Sequence, residues 1–140
     1  MDNENISQLL CDFYNVSGME ISLLNENFHT VASSRCPHEN ICSLIHSSQR
    51  LLEVCKASDI EHLNSVSESG EGELYTCPFG ITEAIVPIFK DDRIASYLIT
   101  TLGISDGDYD FESVCAALGN EQDIRRVSEA YSLMRRVSDK

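Results

Sequence analysis

Apolar residues Ile6, Leu9, Leu10, Phe13 and Tyr14 recur at the spacing of one face of an α-helix, so the chain is predicted to open with an amphipathic helix that ends at Gly18. Met19, Ile21 and Leu23 then alternate with Glu20 and Ser22, a polar Asn25-Glu26-Asn27 turn follows, and a second run returns from Phe28 to Ala32. Period-two alternation around a polar turn predicts a β-hairpin. From Glu39 to about Val66 the spacing is helical again, through Ile41, Leu44 and Ile45 and then Leu51, Leu52, Cys55, Ile60 and Leu63, with a break near Ser47-Ser48 that divides the stretch into two helices. A loop from Ser67 to Gly72 leads into three strands, Leu74 to Cys77, Ile81 to Phe89 and Ile94 to Leu102, the last two joined by the turn Lys90-Asp91-Asp92-Arg93. After a loop at Asp106-Gly107-Asp108, helices are predicted from Phe111 to Leu118 and from Glu121 to Val137.

The resulting order, α-ββ-αα-βββ-αα, has runs of strands without βαβ alternation, which indicates an antiparallel α+β sheet. A PAS-like five-stranded antiparallel sheet with helices on both sides fits it. Ile124, Val127, Tyr131 and Met134 in the final helix have the 3-4-3 spacing of a coiled-coil seam, but for less than two heptads. Packing of that helix on the sheet competes with a role in self-association. Together with the opening stripe, it could cover the sheet in a homodimer.

Charge narrows the partners. The formal net charge is -13, with 23 Asp and Glu against 10 Lys and Arg, which argues against direct nucleic-acid contact and against anionic membrane surfaces. Five of the ten basic residues (Arg125, Arg126, Arg135, Arg136, Lys140) lie in the last sixteen positions, where they complement a helix dipole. No apolar run approaches the roughly 20 residues that span a bilayer. Residues 1 to 34 hold no Lys or Arg, unlike a secretory n-region. A cytoplasmic location is therefore expected, and the six cysteines read as reduced thiols rather than disulfides.

Candidate chemistry concentrates between Cys42 and Pro87. Strand parity puts Ile81, Glu83, Ile85 and Pro87 on one face and Thr82, Ala84, Val86 and Ile88 on the other, and both faces are expected to be largely buried. A carboxylate in such a row needs a partner or a raised pKa, so Glu83 either meets a polar group of a ligand or makes a structural hydrogen bond. Cys42, Cys55 and Cys77, with His38 or His46, could supply metal ligands, yet the knuckle spacing C-x2-C is missing. Free cysteine is otherwise a small buried hydrophobe. Cys42 with His46 one helical turn away could form a nucleophile and base, but the sequence offers no third group to orient them, and no enzyme is expected. Tyr75 and Cys77 share a strand face, as do Tyr97 and Ile99, and Phe79-Gly80 separates two strands; aromatics beside a glycine line pockets and plain cores alike.

The segments ICSLIHSS at 41 to 48, CKASD at 55 to 59 and YTCPFGITEAIVPI at 75 to 88 resemble the PocR-type sensory domain. The resemblance covers about residues 4 to 120. It implies a PAS-like sensor of small molecules such as diols and related hydrocarbon derivatives, without catalysis or a metal or organic cofactor. In that family the domain is joined to AraC-type regulators or to signalling modules. It implies a division into a sensory core at 1 to 120 and a signalling or dimerisation helix at 121 to 140. DNA would be contacted only through a separate helix-turn-helix domain outside these residues. Carried over by position, it draws attention to Cys42, Cys55, Asp59, Tyr75, Cys77, Gly80, Glu83 and Pro87; Phe79 and Tyr97 join them as lining aromatics. Pro78 stands where the family often has His, Ala95-Ser96 where it often has Gly, and Thr100-Thr101 where Gly-Gln is common. A metal or redox sensor built on Cys42, Cys55 and Cys77 is the alternative.

Overall fold

The computed structural model describes residues 3–34, 41–105, 111–133 and 136–137. Helix α1 spans Asn3–Ser17 and stops where Gly18 turns into the left-handed region, its N–H donating to the Tyr14 carbonyl at 2.7 Å. Strands β1 (Glu20–Asn25) and β2 (Thr30–Ser33) form the predicted hairpin. Asn25 closes it by accepting the N–H groups of Asn27 and His29 on Oδ1 at 2.9 and 3.1 Å, the local bonding that makes Asn a turn residue. Helices α2 (Ile41–Ile45) and α3 (Gln49–Ser69) are divided at the predicted serines, because Ser48 is the N-cap of α3. Gly70, at φ +73°, ends that helix by donating to the Val66 carbonyl.

The remaining elements are β3 (Glu73–Thr76), β4 (Ile81–Lys90), β5 (Arg93–Ser105), α4 (Phe111–Leu118), α5 (Glu121–Leu133) and β6 (Arg136–Val137). The five long strands are antiparallel in the order β2-β1-β5-β4-β3. This is the expected PAS-like α+β sheet. Helices lie on both sides: α1 packs on β2 and β1, where Leu10 and Ala32 are buried apart from the main core, and α3 packs on β4 and β3.

Three expectations are corrected. The last helix, predicted to reach Val137, ends at Leu133, and Arg136–Val137 pairs in parallel with Ile104 and Ser105 of β5. The pairing of β1 with β5 ends at Thr101, so β5 has unpaired backbone beyond it, and β6 satisfies those groups. The second face of β4 is not buried throughout: Val86 is 46% and Ile88 36% exposed, beside Leu74 of β3 at 66%. Ile60, predicted on the buried stripe of α3, is 48% exposed, whereas Val66 is fully buried with Leu51 and Leu63. The helix instead turns Asp59 inward, because a tyrosine on the sheet receives it. Cys36, His38, Met134 and the Asp106-Gly107-Asp108 loop lie outside the described residues.

Candidate functional site

Cross-strand register brings the first candidate pair together. Tyr75 on β3 stands directly opposite Glu83 on β4, on the sheet face that carries Ile85, Ile81, Tyr97 and Ile104 into the core. Opposed residues have Cβ atoms about 5 Å apart, close enough for side chains to bond. The Tyr75 hydroxyl lies 2.7 Å from Glu83 Oε2 and 3.2 Å from Asp59 Oδ1, so α3 and the sheet are joined by two carboxyls around one phenol.

On α3, Cys55 and Asp59 are one turn apart on a shared face. The Cys55 thiol donates toward Asp59 Oδ2 at 3.9 Å, and His46, just after α2, reaches Cys55 Sγ with Nε2 at 3.3 Å. His62, one further turn along, stacks on the Tyr75 ring with centroids 3.8 Å apart and bonds Glu73 Oε1 through Nδ1 at 3.1 Å. A chain of polar contacts therefore runs from His46 through Cys55, Asp59 and Tyr75 to Glu83.

Burial sets the protonation of this chain. It is the largest influence on Glu83, which is pushed up to about 7, with the neighbouring Asp59 charge adding to the rise and the Tyr75 bond opposing it. Asp59 is also raised by burial, against the lowering effect of its bonds from Tyr75 and Cys55. Tyr75 has one proton for two acceptors. When Glu83 is protonated it can donate to the phenol oxygen, leaving Tyr75 to donate to Asp59; when Glu83 is ionised, Tyr75 donates to it instead. The tyrosyl proton thus records the state of Glu83.

Burial pushes the Cys55 thiol up to about 12, helped by Asp59, and the Cys77 thiol up to about 11, helped by Glu83. Cys42 is raised well above the usual range, first by burial and then by Glu83, Glu20, Cys55 and Cys77. The Glu83 charge thus adds to the rise of all three motif thiols, which are neutral near pH 7. His46 is lowered, chiefly by burial. Its partner is Cys55 rather than the Cys42 expected from helical spacing, because α2 ends at Ile45 and the chain turns before α3. A neutral thiol beside a neutral imidazole lacks the thiolate that nucleophilic chemistry requires. Among the described residues no three His, Cys, Asp or Glu side chains are grouped to hold a metal ion.

Of the sequence candidates, Cys55, Asp59, Tyr75 and Glu83 are joined by direct contacts, and Cys77 lies within the same core with Cys42 packed against it. Gly80 and Phe79 form the turn between β3 and β4: Gly80, at φ +84°, donates to the Cys77 carbonyl, and the Phe79 carbonyl accepts from the Tyr131 hydroxyl at 2.8 Å. Tyr97 is buried on the same sheet face but pairs with Pro87 and packs edge-on against Phe28 with centroids 5.3 Å apart. Thr101, not Tyr97, stands opposite Glu83, so Tyr97 lies about 13 Å along the strand from that position. His62 and Glu73 escaped the sequence reading, whereas His46 was read as a metal ligand or base and Tyr131 as part of a helical stripe. The spacing 55-59-62 on one helix face and the parity of 73 with 75 could have found His62 and Glu73.

An antiparallel sheet of this order, with helices closing a polar cluster against one face, defines the class as PAS-like. The chain matches the family described as the sensory domain found in PocR over residues 1–140, and it belongs to that family. A search of curated proteins finds no match. No helix among the described residues is long and apolar enough to cross a membrane.

Proposed function

We propose that the chain senses a small organic molecule, bound between α2, α3 and the inner face of the sheet, as the input domain of a cytoplasmic bacterial regulator of the AraC type or of a signalling protein. The carrying observation is the Asp59–Tyr75–Glu83 contact, which joins helix to sheet inside a core otherwise lined by Leu63, Val66 and Ile85. A ligand with a hydroxyl-bearing end and a short hydrocarbon body, of which a diol is the simplest, would exchange bonds with that trio. Its carbon atoms would meet the thiols and aliphatic side chains. Cys42, Cys55 and Cys77 serve here as polarisable lining. Regulation of DNA would pass through a separate domain, and the sensor would act as a homodimer.

Native mass spectrometry of the purified protein, followed by thermal-shift screening of small diols and alcohols, tests the reading. A bound small molecule, lost in Glu83→Ala while the fold persists, is the expected result. Unchanged affinity in Glu83→Ala would remove Glu83 from the site. About one equivalent of zinc or iron per chain, lost on joint Cys→Ser substitution of Cys42, Cys55 and Cys77, would replace this reading with a metal sensor.

A further inference from the structure

Residues 52 positions apart join the last helix to the candidate site. Tyr131 on α5, 5% exposed, donates its hydroxyl to the carbonyl of Phe79, equally buried, at 2.8 Å. Phe79 belongs to the tight turn between β3 and β4, in which Cys77 N–H donates to the Ile81 carbonyl at 2.8 Å and Gly80 N–H to the Cys77 carbonyl at 3.0 Å. The two strands leaving this turn carry Tyr75 and Glu83 as opposed residues. A turn so short moves with its strands, since every change in their separation or twist has to be taken up within Pro78, Phe79 and Gly80. The segment beyond α5 is fixed at the same end of the sheet: β6 pairs with Ile104, whose partner on the other side is Ile81, the first residue of β4.

We propose that Tyr131 is a positioning residue that couples α5 to the site through the Phe79 carbonyl, so that a change in the Tyr75–Glu83 contact alters how firmly α5 is docked. The proposal rests on the ligand-sensing reading for its purpose but not for its geometry. In α5, Val127 is fully buried and Tyr131 nearly so. The helix is therefore held by apolar packing together with a buried polar attachment to the turn. Apolar packing tolerates small shifts, whereas a buried hydrogen bond is directional and costly to leave unmade. That attachment is thus a contact through which strand displacement would reach the helix. Coupling of this kind shows itself as non-additivity in a double-variant cycle.

Hydrogen exchange of the α5 amides, measured in wild type, Glu83→Gln, Tyr131→Phe and the double variant without any ligand, tests this. Tyr131→Phe should speed α5 exchange about three- to tenfold, the effect of losing one net hydrogen bond. Glu83→Gln should change α5 exchange by a comparable factor in wild type and have no effect on α5 when Tyr131 is Phe. If the two changes simply add, Tyr131 is only a structural bond and the coupling is absent. If Tyr131→Phe does not fold, Glu83→Gln decides: unaltered α5 exchange together with an unaltered Gly80 amide resonance overturns the proposal, and concerted change in both upholds it. Because no ligand enters the cycle, a failed ligand screen and a failed coupling are separate results.

Discussion

Glu83 holds its proton unusually firmly because it is 7% exposed and its charged neighbours named above, Asp59 and Glu20, are both acidic. In the unfolded chain it titrates near its ordinary 4.5; in the folded protein it titrates at about 7. Between those values the native state binds more protons than the unfolded state, so this residue makes stability fall as pH rises from about 4.5 to about 7 and level off above. Asp59 shifts in the same direction. At about 1.4 kcal/mol per pH unit, the Glu83 effect is at most about 3 to 4 kcal/mol. Glu83→Gln retains an acceptor for Tyr75 without the charge. Denaturant titrations should show the variant flattening the fall across this window and exceeding wild type in stability at pH 8. A variant less stable than wild type at pH 8 would mean that the ionised carboxylate is satisfied in the fold. Tyr75→Phe deprives the buried Glu83 and the half-buried Asp59 of their shared hydroxyl and should cost about 1–3 kcal/mol by the same measurement. Cys55 and Cys77, at about 12 and 11, should react with iodoacetamide at pH 8 at least tenfold more slowly, roughly, in the folded than in the unfolded protein.

The β3–β4 hairpin shows why an element can be visible in sequence while its consequence is not. Gly80 interrupts an apolar run, which marks a turn, and its φ of +84° shows that the turn needs the left-handed region. Gly80→Ala should cost about 1–2 kcal/mol and, by displacing the turn that sets the register of Tyr75 on Glu83, should weaken ligand binding in a thermal-shift assay. Equal ligand shifts in Gly80→Ala and wild type would show that the turn does not position the site. Ser48 marked the start of α3 because capping is local chemistry, and the hairpin at Asn25 was legible for the same reason, whereas α3 runs past Val66 to Ser69, three residues into the expected loop, before Gly70 caps it. The parity of β4 placed Glu83 on the Ile85 face correctly. What strand parity could not supply was the opposed strand: that Tyr75 faces Glu83 depends on register, and that Asp59 meets both depends on how α3 lies on the sheet. The helical pattern favoured Ile60 over Asp59 because apolar spacing assumes an apolar partner. The end of α5 was missed likewise, since the sequence does not show that β5 leaves unpaired backbone for β6.

Across the whole molecule the apolar surfaces bear on self-association. Val127 and Tyr131, whose spacing left helix packing and a dimer seam in competition, are inside the chain's own core. Tyr131→Asp would place a charge in that core and unfold the protein, so it says nothing about a dimer. The apolar groups left toward solvent include Leu9 and Phe13 on α1, at 58% and 43%, and the outer sheet face of Leu74, Val86 and Ile88. Contiguous apolar surface is seldom left open on a monomer. With α1 covering only the β1–β2 end of that face, a second copy could bury the rest. Two chains of net charge -13 repel one another, so such a contact must be apolar and should strengthen with salt, which screens the repulsion and leaves apolar burial in place. Sedimentation equilibrium is expected to show a dimer at tens of micromolar, about the range of weak specific association. The dissociation constant should fall between low and moderate salt, and Phe13→Asp or Val86→Lys should yield folded monomers. A wild-type protein that stays monomeric at that concentration in both salts would remove the homodimer. A dimer weakened by salt would place charged groups, not this face, at its centre.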